Sequence, residues 1–543
     1  MKRKLLTFNT LILVAIAGVV AWATIPPNSQ PNALNRKESL TQGHTDVSEL
    51  AAPIQQVDNF FDARWQEFGF ETAEEVDELL ILRRLSLALH GTIPSLEEIR
   101  NFESDTSPNR LSRWIHQMLN DNRFGDYFAE RLARSYVGVE GGPFIIFRRD
   151  RFTDWLSDQL QSNTPYNEIV RQLITGEGLW TEKPETNFIT VAIANNELDE
   201  NKLAARSVRA FLGQRIDCAQ CHDHPFDHWK QEEFEGLAAH FGQASISPFG
   251  ISDKQDQEYE IEDRKTLETI TIDPAVPFHP EWIPETGSQR EKFAIWITHP
   301  ENRRFERAIA NRVWALLFGK AWHAPVDDLP DPESLESTDL LDILGSDFRE
   351  HGYDLRRLIK IIVSSKPFRL SSQHAEEDAG RLAAIKDEWG VYPLVRLRPE
   401  QVIGSMLQAS SIKTIDQNSH LITRTMKFFR ENNFIQEYGD LGDNEFEEQT
   451  GTIPQALLRM NGELAKDVGK TNPVNASGRI SGFSSTAEKC LENCYLVCYS
   501  RRPTPEEQAH FLPQLQEASK KRGEIVEDIF WTLFNSPEFS WNH

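Results

Sequence analysis

Apolar residues recur at helical spacing along most of the chain. In "RRFERAIANRVWALLFGK" (303–320), Phe305, Ile309, Val313, Leu316 and Leu317 share one face, and Gly319 follows where a left-handed stop is wanted. "NKLAARSVRAFLG" (201–213) sets Leu203, Val208, Phe211 and Leu212 on or near one face and breaks at Gly213. "KQEEFEGLAAHFG" (230–242) places Phe234, Leu237, Ala238 and Phe241 at i, i+3, i+4 and i+7. Helix starts are equally regular. Ser95 with Glu98, and Thr504 with Pro505 and Glu507, read as capping boxes, and Asp354 introduces "LRRLIKIIVSS". The exception is residues 257–273, where Tyr259 and Ile261, then Leu267, Ile270 and Ile272, alternate with polar positions and predict a β-hairpin. A Pro-rich run, "PAVPFHPEWIPETG" (274–287), follows it.

The pattern predicts a mainly α protein of two helical domains with a small β-hairpin insertion near the boundary. The N-terminal domain is set at residues 75–250, the C-terminal one at 289–543, with an acidic, Pro-rich linker at 251–288 between them. Residues 1–23 read as a signal peptide or N-terminal anchor: Lys2, Arg3 and Lys4 precede an apolar run, and Ala21-Trp22-Ala23 offers a cleavage site. Residues 24–74, opening rich in Pro, Asn, Ser and Gln, are expected to form a disordered linker. The body is therefore expected to be periplasmic or otherwise extracytoplasmic, either secreted or tethered to the membrane through its N-terminus.

Charge removes some partner classes. A net charge of −25 over 543 residues argues against nucleic acid and leaves no broad basic surface for anionic lipid. Five cysteines in an exported chain of this length are too few for a disulfide framework, so stability must come from packing.

The candidate chemistry sits in "RIDCAQCHDHPFDHW" (215–229), in the connection between two amphipathic helices. Cys218, Cys221 and His222 form C-x-x-C-H, the attachment signature of c-type haem. Two thiols at that spacing add across the two porphyrin vinyl groups, and the adjoining histidine becomes the proximal iron ligand. Two other readings compete. Cys218, Cys221, His222 or His224, and Asp227 or His228 supply enough donors for a Zn²⁺-type site. Alternatively, the cysteines form a short structural or redox disulfide. A distal haem ligand is not selected by the sequence; His224, His228 and Met460 are candidates, with His240, Met118, Met406 and Met426 the other histidine and methionines considered.

Cys490, Cys494 and Cys498, at i, i+4 and i+8, read as a buried stripe on one helix. Asp327 and Asp328 in "PVDDL" read as a turn or cap, with an acid or metal role as the alternative. No G-x-S-x-G, H-E-x-x-H, phosphate loop or dinucleotide fingerprint is present, so no motif demands an enzyme. The open alternatives to a redox protein are a metal-dependent or carbohydrate-active enzyme and a non-catalytic scaffold with a structural C-x-x-C-H.

"CAQCHDHPFDHWKQEEFEGLAAHFG", "LRRLSLALHGTIPSLEEIRNF" (82–102) and "DNRFGDYFAERLARSYVG" (121–138) resemble the planctomycete-type cytochrome c-associated domain of unknown function. "ERAIANRVWALLFGKAWHAPVDDL" (306–329), "CYSRRPTPEEQ" (498–508) and "WTLFNSPEFSWNH" (531–543) resemble its usual C-terminal partner domain. The resemblance implies an exported protein, with redox or polysaccharide-processing proteins as partners, and leaves the oligomeric state open. Family members often carry an extra N-terminal cytochrome c module. This chain departs from that form, because residues 24–75 hold no cysteine.

Overall fold

The structure is a computed structural model. It describes residues 33–543 apart from 140–146, 195–196, 226–227, 263–266, 418, 420–433, 436, 440–441, 443–445, 447–451, 462–466, 474 and 518–520, and for residues 33–47, 194 and 461 the backbone alone. The expected signal peptide or anchor at residues 1–23 lies outside the described residues. No described helix is long and apolar enough to cross a membrane.

The fold is mainly α with small antiparallel hairpins. The local signals act where the sequence places them. Glu98 N donates to Ser95 Oγ at 3.0 Å and Ser95 N to Glu98 Oε2 at 2.8 Å, opening the Leu96–Ser104 helix. Thr504 and Glu507 exchange the same two bonds at the start of Pro505–Glu517. Asp354 accepts from Arg357 N at the start of Leu355–Ser364. Gly319 ends Arg303–Phe318 at φ 78°, a value that favours glycine. Tyr259–Glu262 pairs with Thr269–Ile272 in the expected hairpin, with Ile261 opposite Ile270. A second hairpin, Ala244–Ser247 with Gly250–Asp253, was not legible in the polar "ASISPFGISD".

One expectation is corrected. Residues 24–74 do not form a disordered linker throughout: Ala33–Phe68 is a helix. Leu50, Val57, Phe61 and Trp65 are buried at helical spacing along it. Phe61 stacks on Trp314 with ring centroids 6.0 Å apart, Arg64 pairs with Glu388 at 2.6 Å, and Lys366 pairs with Asp62 at 2.5 Å. An apolar stripe at that spacing can bury its area only against a tertiary partner, and helices of both halves supply it: Arg110–Leu119 from the first, Leu340–Glu350 and Leu355–Ser364 from the second.

The two halves of the chain share a single hydrophobic core. The Arg303–Phe318 helix is buried on nearly every side and packs against Glu200–Leu212 and Glu78–His90. Arg290, 1 % exposed, opens the second half yet donates to the carbonyls of Ile174 and Gly176 and pairs with Asp253 at 2.7 Å. From the other side, Arg84 donates to the carbonyls of Phe368 and His543 and lies 3.6 Å from the Tyr392 ring centroid. The C-terminal Trp541–Asn542 pairs with Val395–Arg396. The residue 251–288 segment is anchored near both its ends, where Asp253 and Arg290 pair.

Candidate functional site

The cysteine segment is held between two well-anchored helices. Glu200–Leu212 is capped by Asp199, which accepts from Lys202 N at 2.9 Å, and turns off at Gly213 (φ 63°). A side chain at Gly213 would meet Leu329 at 3.1 Å and Ala308 at 3.2 Å, and its carbonyl accepts from Leu329 N at 2.7 Å. That contact brings "PVDDL" beside the segment. Leu203, Val208, Phe211 and Leu212 are buried, as their spacing requires. On the far side, Gln231–Ala239 buries Phe234, Leu237 and Ala238.

Between them, Asp217–Gln220 forms one short 3-10 turn. Ile216, Ala219 and Trp229 are buried and fix the loop to the core. Cys218 and Cys221 stand as exposed thiols on that turn, with Cys221 N reaching Cys218 O at 3.4 Å. The same segment therefore alternates anchors and chemistry. His222 is exposed, and its Nδ1 lies 2.7 Å from the Asp223 carbonyl. A carbonyl can only accept, so Nδ1 carries the proton and Nε2 of the neutral ring keeps its lone pair. His224 N donates to Trp229 O at 2.7 Å, and Gln231 N to Asp223 Oδ1 at 3.0 Å; together they close the loop. The His228 ring lies 4.7 Å from that of Trp229.

The zinc reading requires three or more donors to converge. Among the described residues, no three His, Cys, Asp or Glu side chains are grouped to hold a metal ion, so Cys218, Cys221, His222, His224 and His228 are not gathered into a ligand set. Asp227 lies outside the described residues. The distal candidates divide. His224 and His228 belong to the loop. Met460 lies on Ile453–Asn461, which packs against Arg522–Asn535. Met118 and Met406 are core residues, and His240 is buried, stacked on Phe293 and bonded through Nδ1 to Gln289 O at 3.2 Å. Met426 lies outside the described residues. Cys490, Cys494 and Cys498 are fully buried on Ala487–Tyr499, a packing stripe.

A cavity of about 350 Å³ adjoins the turn, with Asp217 and Gln220 on its wall. Asp327, also on that wall, is 7 % exposed. Burial alone would raise its pKa, but hydrogen bonds and charge from Arg209 and Arg215 outweigh burial and hold it below the usual carboxylate range. Asp327 is thus an ion-pair partner, whereas Asp328 N closes a turn on Pro325 O. The arginines of this wall were missed by the sequence reading. Their one local signal is Lys202, Arg206 and Arg209, which share the helix face opposite the apolar one.

Residues 56–245 match the family model described as PSCyt2, protein of unknown function (DUF1549), and residues 289–515 match PSD1, protein of unknown function (DUF1553). The chain belongs to this two-domain family. No curated protein and no solved structure matches it. Within this PSCyt2–PSD1 chain the Cys218 turn falls inside the first matched region, and Asp327, which borders it, falls inside the second.

Proposed function

We propose that the chain is an exported c-type haem protein with an electron-transfer role, the macrocycle held by Cys218 and Cys221 and the iron by His222. The carrying observation is the state of His222: its Nδ1–H is committed to the Asp223 carbonyl, which leaves Nε2 as a lone-pair donor beside two exposed thiols. The residues fit the group in two further ways. Both thiols lie on one turn open to solvent, so a planar macrocycle reaches them without displacing core side chains. The turn itself is pinned to the core by Ile216, Ala219 and Trp229, which are buried, and this supports a fixed attachment point. When bound, the haem supplies a one-electron couple. The leader-like residues 1–23 support this reading, because covalent haem attachment takes place outside the bacterial cytoplasm.

Substitution separates this from the metal reading. Expressed in a host that attaches haem c, Cys218→Ala and Cys221→Ala should each lose haem or leave it extractable. His222→Ala should impair attachment and alter the spin state and potential of any haem retained. His224→Ala and His228→Ala should leave attachment intact, changing the spectrum only if one of them is the distal ligand. A colourless protein that loses bound zinc equally on substitution of Cys218, Cys221, His224 or His228 would replace the haem with a four-ligand metal site.

A further inference from the structure

Lys230 stands at the N-cap of Gln231–Ala239. A lysine side chain only donates, so it cannot accept from the unpaired N–H groups of that helix start. The acceptor comes from the cysteine loop instead. Gln231 N donates to Asp223 Oδ1 at 3.0 Å, across eight residues of chain. Asp223 thus caps from a distance, with its negative charge at the positive end of the helix. A second carboxylate serves the same helix start from within: Lys230 N donates to Glu233 Oε2 at 2.8 Å.

Asp223 is also the residue whose carbonyl accepts from His222 Nδ1 at 2.7 Å. It therefore links the ring that follows the two thiols to a helix anchored in the core by Phe234, Leu237 and Ala238. The link bears on chemistry through the tautomer. The neutral imidazole of free histidine carries its proton mainly on Nε2, which leaves no lone pair at the outer nitrogen. Iron ligation through Nε2 needs the opposite form. A carbonyl facing Nδ1 selects that form only while it keeps its direction, and an exposed loop peptide turns unless it is held. This peptide is held twice. Its N–H, on His224, donates to Trp229 O at 2.7 Å, and the Asp223 side chain is tied to Gln231 N.

We infer that Asp223 is a positioning residue for the His222 imidazole: its carboxylate, fixed on Gln231, keeps the Asp223 carbonyl on Nδ1 and so leaves Nε2 open. The consequence for iron rests on the haem reading above, whereas the tautomer does not. A ring whose Nδ1–H is bonded to a carbonyl is also the stronger donor through Nε2, so the same contact favours the oxidised state of a bound haem and lowers its potential.

Nitrogen-15 NMR of the full chain, labelled at histidine, kept reduced and made without haem, reads the tautomer directly. Spectra are taken at about pH 8, above the titration range of free imidazole, and the His222 signals are those missing from His222→Gln. Wild type should carry the His222 proton on Nδ1. Asp223→Ala should return the ring mainly to the Nε2–H form. Asp223→Asn keeps an acceptor oxygen for Gln231 N and should retain the Nδ1–H form. Glu233→Ala removes the other acceptor at the same helix start. It should lower the thermal midpoint about as much as Asp223→Ala and leave the tautomer as in wild type, which a merely structural role for Asp223 would not produce. In haem-loaded protein, Asp223→Ala should raise the reduction potential and Asp223→Asn should leave it unchanged. The inference is overturned if His222 of the wild type is in the Nε2–H form, if Asp223→Ala leaves the proton on Nδ1, or if Glu233→Ala shifts the tautomer as far as Asp223→Ala does. A wild type that takes up no haem would overturn the haem reading alone, because the haem-free spectra still decide the role of Asp223.

Discussion

His90 and His240 are neutral in the folded protein, and the reason is local. Nε2–H of His90 donates to Met118 O at 3.0 Å, while its Nδ1 is buried with no partner; His240 donates from Nδ1 to Gln289 O, and its Nε2 is buried likewise. A second proton on either ring would be an unsatisfied buried charge. Burial accordingly pushes both down to about 4 from the usual 6.5. Between these values the unfolded chain binds more protons than the native state, so stability rises with pH there and is lost as pH falls from 6.5 towards 4. Each histidine contributes on the order of 3 kcal/mol at the full shift. Glu306, pushed up to about 7 by burial against the pull of Arg349, works in the opposite sense between pH 4.5 and 7. Two histidines outweigh one carboxyl, so the thermal midpoint should fall on acidification through this window. His90→Gln keeps the donor to Met118 and leaves one histidine against one carboxyl, so it should remove most of that fall; an unchanged slope would mean that His90 is already charged. At this scale the sequence was informative about spacing and blind to burial. Cys218, Cys221 and His222 stand out because their pattern is contiguous. The cavity arginines do not, because residues 134, 206, 209 and 312 meet only in three dimensions.

The element least legible in the sequence is the helix Ala33–Phe68. Its opening composition resembles a tether, and its apolar stripe is too sparse to announce a helix by itself. Tertiary packing decides it: Phe61, fully buried, meets Trp65, Trp314 and Trp322 at ring-centroid distances of 5.6, 6.0 and 5.7 Å. Phe61→Ala should therefore cost about 3–5 kcal/mol in chemical denaturation, the range for emptying a large buried aromatic site. A loss below about 1 kcal/mol would place this helix outside the cooperative unit. Capped helices were legible by contrast, since Ser95 with Glu98 and Thr504 with Glu507 complete their bonds within four residues and need no distant partner.

For the whole molecule, two matched sequence regions fold around one core, and the connections between them run both ways. Arg290 reaches back to Ile174 and Gly176, while Arg84 reaches forward to Phe368 and His543. A protease cut within residues 251–288 should consequently leave two fragments that co-elute on size exclusion and unfold in one transition. Separate elution would mean that the shared core does not hold the halves together. Pro-rich composition alone cannot distinguish a docked connection from a hinge, because docking depends on Arg290 and Asp253 meeting. The central claim, that the exposed turn at Cys218 and Cys221 carries haem c, is met most directly by the absorbance of the full chain. Wild type made together with haem-attachment machinery should show a Soret band that stays with the polypeptide after denaturation and acid-acetone extraction. A colourless protein free of iron would contradict it.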